Sequence, residues 1–143
     1  MPKKTKLNEL ILGIDYGERN IGLSFGRNEL VSPLKVISGK NDDSAITEIV
    51  RYAMENKIDR IVIGLPLNVE GKDTAQSRKV RRFTKFLKIR FKKPIDFVNE
   101  FRSTKNSKTE TIRLGVSKKR RKKIDHYSAA LILKEYYARL PHS

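Results

Sequence analysis

Apolar residues in this chain fall into short continuous runs and into stripes at helical spacing. Leu10-Ile11-Leu12-Gly13-Ile14 is a brief β-branched run bounded by turn residues, which predicts a buried strand. A turn at Glu18-Arg19-Asn20 separates it from a second predicted strand, Ile21 to Phe25, with Gly22 and Gly26 spacing it. Leu30 to Ile37 predicts a third strand, placed at an edge by Pro33. Asn41-Asp42-Asp43-Ser44 carries helix-start chemistry. Ile46, Ile49, Val50, Ala53 and Met54 follow at offsets of three, four, seven and eight, the inward stripe of an amphipathic helix.

The second half continues the alternation. Asp59 to Gly64 predicts a buried strand ended by Gly64-Leu65-Pro66, and Leu67 to Asp73 reads as a loop. A helix is expected from Thr74 to Arg90, with Val80, Phe83, Leu87 and Phe91 inward. Arg78, Arg82 and Lys85, with Arg81 and Lys88 beside them, form its basic outer face. Pro94 to Val98 predicts a short strand leading to Asn99 and Glu100, and residues 103–114 suggest a helix. Ser117 and the charge run to Lys123 precede a last helix, Ile124 to Arg139, with Ala129, Ile132, Leu133, Tyr136 and Leu140 inward. Tyr136 and Tyr137 are assigned to packing. The order is three strands in an antiparallel meander, then alternating helices and strands. That pattern implies an α/β fold, a mixed sheet with helices on both faces. No repeat or linker divides the chain, so residues 1–143 are expected to form one domain.

Charge changes the picture. The formal net charge is +16, with a pI near 10.2. Through Ser77 there are 11 basic and 11 acidic residues; from Arg78 onward there are 21 and 5. The second half therefore carries the field and points to a polyanionic partner. The chain has no cysteine, which excludes disulfides, thiolate metal sites and a cysteine nucleophile. No apolar run approaches the roughly 20 residues that span a bilayer, and the N-terminal segment is a poor signal peptide. A cytoplasmic protein without a membrane partner is expected.

Three carboxylates interrupt the apolar pattern. Asp15 ends a buried strand, where an unpaired charge would be costly, so a cationic counterpart is expected. The glycines around it imply that something bulky approaches the backbone closely. Glu100 follows another strand, and Asp125 shares the stripe of Ala129, Ile132 and Tyr136, which turns it toward the sheet. Ligands of such sheets collect at the carboxyl ends of strands, which would make Asp15 and Glu100 neighbours. Three converging acids repel one another unless divalent cations lie between them. Oxygen ligands favour Mg²⁺ or Mn²⁺, and two histidines make a zinc site a poor fit. Two such ions activate a water and stabilise the leaving oxygen of an in-line phosphoryl displacement. Each acid also has a plainer reading: Asp15 as a turn former, Glu100 as a solvated strand end, Asp125 as a favourable charge at a helix N-terminus. As a set with a basic surround, the functional reading is preferred.

The run Lys118, Lys119, Arg120, Arg121, Lys122 and Lys123 is expected to track phosphates rather than serve as a solvated loop or a nuclear-import signal. Arg19 either grips phosphate or pairs near Glu18. No spacing supports a serine triad, and His126 is expected on a helix surface.

These motifs together resemble the YqgF family, also called RuvX, whose members are assigned pre-16S rRNA nuclease or Holliday junction resolvase activity. The resemblance runs from about Leu12 to Tyr137. It rests on Leu12-Gly13-Ile14-Asp15-Tyr16-Gly17 with Ile21-Gly22, on Ser32-Pro33-Leu34, and on Gly64-Leu65-Pro66-Leu67-Asn68 with Gly71. Glu100 with Ser103-Thr104, and Asp125 with Ala129-Ala130 and Ile132-Leu133, complete it. The resemblance implies an RNase H-like fold and Asp15, Glu100 and Asp125 as metal-binding catalytic carboxylates. One motif departs. Where the family usually has Asp-Glu-Arg, this chain has Asn99-Glu100-Phe101, with the arginine one place later as Arg102. The expected function is a Mg²⁺- or Mn²⁺-dependent nuclease using about two ions. Its favoured substrate is structured RNA, precursor 16S rRNA first. Arg19, Arg78, Arg82, Lys85, Arg102 and Lys118–Lys123 would hold the nucleic acid, in a monomer or weak homodimer. Alternatives are a Holliday junction resolvase acting on branched DNA, a catalytically weak RNA-binding assembly factor, and, lower, an actin-like ATPase.

Overall fold

Alternation along β1 (Leu10–Asp15) decides which helix covers which side of the sheet. Leu12 and Ile14 face one side; Ile11, Gly13 and Asp15 face the other. The computed structural model describes residues 7–101 and 118–141, with side chains described for 7–100 and 127–141. The remaining elements are β2 (Asn20–Arg27), β3 (Leu30–Ser38), α1 (Asp42–Glu55), β4 (Arg60–Leu67), α2 (Ala75–Arg90), β5 (Ile95–Phe101) and α3 (Lys118–Arg139). The strands form one sheet in the order β3-β2-β1-β4-β5. The first three pair antiparallel, while β4 runs parallel to both β1 and β5. This is the mixed sheet expected from the apolar pattern.

Two cores result. Leu12, Ile14, Ile61 and Ile63 pack with Ile46 and Ile49 of α1 and Val80, Phe83 and Leu87 of α2. On the opposite face Ile11, Val62 and Val98 pack with Ile132, Leu133, Tyr136 and Tyr137 of α3. Both long connecting helices start on the caps their sequences offer. Asn41 Oδ1 accepts the Ser44 amide at 2.9 Å. Thr74 and Ser77 satisfy one another's amides in a capping box at 3.0 and 2.7 Å.

Several boundaries differ from expectation. Met54 is 73% exposed, because it sits about 80° round the helix from Ile46, at the margin of the stripe. β4 does not stop at Gly64 but runs to Leu67. Beyond Ile63 its ladder continues only toward β5, an edge-like stretch that tolerates Pro66. That extension pairs Leu65 with Asn99 and Pro66 with Glu100, which draws both residues into β5 rather than leaving them after it. α3 begins at Lys118, six residues before Ile124, so the basic run is helical and not a loop. Lysine and arginine are good helix formers, and nothing in the run breaks a helix. The helix expected over 103–114 lies outside the described residues. Among the described residues no helix is long and apolar enough to cross a membrane.

Tyr136 and Tyr137 are buried as expected. Tyr136 does more than pack: its hydroxyl donates to Asp96 Oδ2 at 2.7 Å, and Arg60 bridges Asp96 at 2.7 Å and Glu9 at 2.5 Å. Burial pushes the Tyr137 phenol up to about 12. It raises Tyr136 further, helped by the hydrogen bond to Asp96. Burial, followed by the hydrogen bond to Asp42, also pushes Tyr16 to about 12. The folded state thus holds these protons more tightly than the unfolded chain, whose tyrosines titrate near about pH 10. Stability from this source is complete below about pH 10 and falls as pH rises toward the folded values. Phenolate absorbance followed against pH is expected to show Tyr16, Tyr136 and Tyr137 ionising above the range of an exposed tyrosine, and Tyr136→Phe should reduce the alkaline loss of stability.

Candidate active site

Asp15 stands at the carboxyl end of β1, paired across to Gly22 of β2. One residue beyond the last β1–β4 pair, Ile14 with Ile63, Asp15 comes level with Gly64. Glu100 stands at the carboxyl end of β5, beside Pro66. Asp15, Gly64 and Glu100 all face α3, as does Val98 two residues before Glu100. The glutamate is long enough to reach back. A Cβ placed on Gly64 would lie 3.2 Å from Glu100 Oε2 and 2.6 Å from Ile132 Cδ1. Gly64 is therefore the bare floor between two half-buried carboxylates, with Ile132 of α3 as its wall.

The glycines were expected to admit something bulky, and they do, but at two of them it is the last helix. A Cβ at Gly13 would meet Leu133 Cγ at 2.6 Å and Ser24 Oγ at 2.3 Å; one at Gly26 would meet the Tyr137 hydroxyl at 2.8 Å. Ser24 Oγ, fully buried, donates to the Ala129 carbonyl at 2.7 Å and fastens the helix there. Leu133 lies over Gly13 and Tyr137 over Gly26, which pairs with Ile11, so α3 runs opposite in direction to β1. Its N-terminal half accordingly projects past the strand ends where Asp15 and Glu100 stand. The backbone of Asp125 lies one turn, about 6 Å, before Ala129 on that projection. The Asp125 side chain is outside the described ones. Among the described residues no three His, Cys, Asp or Glu side chains group closely enough to hold an ion. A metal set of the expected composition therefore requires Asp125 to join the other two acids.

The backbone after Asp15 is clamped by contacts across the fold, among them Gln76, Lys79 and Gly39, which carry no signal in the sequence. The Tyr16 ring packs on Phe83 with centroids 4.6 Å apart, its hydroxyl donates to Asp42 Oδ1 at 2.8 Å, and its carbonyl accepts Gln76 Nε2 at 3.3 Å. Glu18 pairs with Lys79 of α2. The Gly39 amide donates to the Arg19 carbonyl at 2.8 Å, and a Cβ at Gly39 would strike the Gly17 carbonyl at 2.3 Å. At the same end of the sheet Asn68 Oδ1 accepts the amides of Glu70 and Lys72, both at 2.9 Å, and Gly71 takes a φ of 80°. Asn68 and Gly71 mark this loop in the sequence.

The basic residues divide between the two faces. Arg19 is exposed in the turn after Asp15. Arg78, Arg82 and Lys85 are exposed on α2, across the sheet from Asp15 and Glu100. Lys118 to Lys123 occupy the first turns of α3, on the acid-bearing face, with side chains outside the described ones. Arg102 lies outside the described residues, as do Ser103 and Thr104.

The family described as RuvX, Holliday junction resolvase, matches residues 9–139. The chain belongs to that family. A relative from Maridesulfovibrio salexigens, named "Putative pre-16S rRNA nuclease", is 33% identical over 132 residues, covering 90% of this chain and 98% of the relative. One of the same name from Mycoplasma mobile is 36% identical over 129 residues, covering 87% and 89%. Among solved structures, Thermus thermophilus RuvC in complex with a Holliday junction substrate superposes with a TM-score of 0.57 at 10% identity, covering 92% of this chain and 95% of that one. That likeness establishes a RuvC-type, RNase H-like fold for this RuvX member.

Gly64 supplies a test of the site's packing. Gly64→Ala places a methyl against Ile132 and Glu100. It is expected to cost about 1–2 kcal/mol in urea unfolding, and Gly64→Ala with Ile132→Val should recover part of that loss by removing the clash with Cδ1.

Proposed function

We propose that this RuvX-family chain is a Mg²⁺- or Mn²⁺-dependent nuclease that hydrolyses phosphodiester bonds in RNA. The proposed role is 5′-end processing of precursor 16S rRNA in the cytoplasm. The observation that carries the reading is the placement of Asp15 and Glu100 on one sheet face at the carboxyl ends of β1 and β5, either side of the bare Gly64. Their oxygen-only donor set fits a hard divalent cation. The chemistry such ions supply when bound is activation of a water and stabilisation of the leaving oxygen.

The chain's own residues do the rest. Asp15 sits on a strand paired on both sides and is followed by the clamped Tyr16, so its carboxylate is held with little freedom. Glu100 leans back over Gly64 toward it. Asp125, carried on the projecting half of α3, completes the set. The basic first turns of α3 and Arg19 hold the phosphodiester backbone at this end of the sheet, and no histidine base is required. The relatives' name favours RNA. The family's description and the likeness to RuvC bound to a Holliday junction favour a second reading, resolution of branched DNA by the same chemistry.

Wild type and Asp15→Asn should be compared on precursor rRNA ends, duplex DNA and a four-way junction with Mg²⁺ or Mn²⁺. Loss of an outer-shell partner alone costs about 10–100-fold at metal sites, so Asp15→Asn is expected to lower cleavage by more than about 100-fold. Binding should stay equal or tighten, since one negative charge near phosphate is gone. Preferred cleavage of the junction would establish the second reading, and no metal-dependent cleavage of any substrate would overturn both. Replacing Lys118–Lys123 by glutamine should weaken binding to every substrate. The same replacement should flatten the salt dependence, by roughly 0.7–0.9 in logarithmic slope for each phosphate left without its cation.

A further inference from the structure

The outer face of α2 is a second cationic surface, separated from Asp15 and Glu100 by the thickness of the sheet. α2 contains seven basic residues and no acidic one. Lys79 pairs with Glu18, Arg81 with Asp73, and Arg90 donates to Thr47. No ion pair among the described residues engages Arg78, Arg82, Lys85 or Lys88, and all four are exposed. Arg78, Arg82 and Lys85 line the side opposite the buried stripe of Val80, Phe83 and Leu87.

Two apolar side chains stand among these cations. Phe86 is 44% exposed and Ile89 60% exposed. The Arg82 guanidinium lies 6.0 Å from the Phe86 ring centroid. A half-open aromatic ring beside an arginine, on a helix face that also carries Arg78 and Lys85, is the arrangement on which an unpaired base stacks while its phosphates meet the cations. A duplex keeps its bases stacked inside and leaves such a ring unused. A lipid surface is the weaker fit, because the apolar stripe of α2 is spent on the core and only two residues remain to insert.

We propose that Arg78, Arg82, Lys85, Phe86 and Ile89 form an anchoring site for a single-stranded segment of the nucleic acid, distinct from the carboxylate site and on the opposite sheet face. The proposal rests on the nucleic-acid reading above and adds to it the substrate class: a strand with an unpaired stretch beside the cleaved bond. Phe86 lies about 16 Å along α2 from its first residue. That first turn touches the loop after Asp15 through Gln76, so the unpaired strand rounds the sheet's end between the two sites.

The chain has no tryptophan, so Phe86→Trp gives a single reporter. In an Asp15→Asn background, where the oligonucleotide survives titration, its fluorescence is expected to be quenched by single-stranded RNA and unchanged by a duplex of equal length. Phe86→Leu should weaken single-strand binding roughly 5- to 100-fold, duplex binding less than about two-fold, and leave the salt slope unchanged. Arg82→Gln with Lys85→Gln should lower that slope. The proposal is overturned if the reporter is not quenched, or if Phe86→Leu affects both substrates equally. It also falls if the signal follows anionic vesicles, or protein concentration through self-association, instead of the single strand. Quenching with no cleavage by wild type would remove the nuclease reading alone; cleavage without quenching would remove the anchoring site alone.

Discussion

The seating of α3 on the sheet is the contact from which the rest of the molecule takes its geometry. Three glycines, Gly13, Gly26 and Gly64, strip side chains from the surface beneath it, so Leu133, Tyr137 and Ile132 descend to the strands. Hydrogen bonds then fix its position, among them Ser24 to the Ala129 carbonyl, Tyr136 to Asp96 and Arg139 to the Asn99 carbonyl. The first is fully buried, where an unmet polar group is expensive, so the helix has little freedom to slide. Because α3 carries Asp125 and the basic run, its register on the sheet governs what stands opposite Asp15 and Glu100.

The other face provides stiffness instead of chemistry at that end. Tyr16, the residue after the candidate metal ligand, turns to the α1/α2 side and is held by Phe83, Asp42 and Gln76. Alternation along one strand thus turns Asp15 toward α3 and its neighbour toward α1 and α2. The sheet also separates the two clusters of positive charge, and an extended polyanion that used both would have to pass around its end.

Strands, helices and the two-sided core were legible because the apolar residues follow the two backbone periods closely. Val80, Phe83 and Leu87 at helical spacing, and Ile61 to Ile63 as a continuous run, leave little choice. Boundaries at the carboxyl ends of β4 and β5 were not legible, since Pro66 and Glu100 each look like a terminator in isolation. Only the pairing of the two strands with one another extends them. The glycines imply that something bulky comes close to the backbone, and at Gly13 and Gly26 it is the last helix, an identity that one-dimensional spacing does not give. Asp15 and Glu100 do stand at one end of the sheet, as their positions after apolar runs suggested. The clamp on Tyr16 joins residues 26 and 60 positions apart and has no local signal.

Pro33 has an effect beyond marking where β3 sits. Among the described strands β3 pairs only with β2, leaving its far margin without a partner. There the proline breaks the row of donors, and the ladder behind it shifts register between Leu23 and Ser24. A strand from a neighbouring molecule finds no regular template on that margin, so the fold resists edge-to-edge polymerisation from that side even when many copies crowd together.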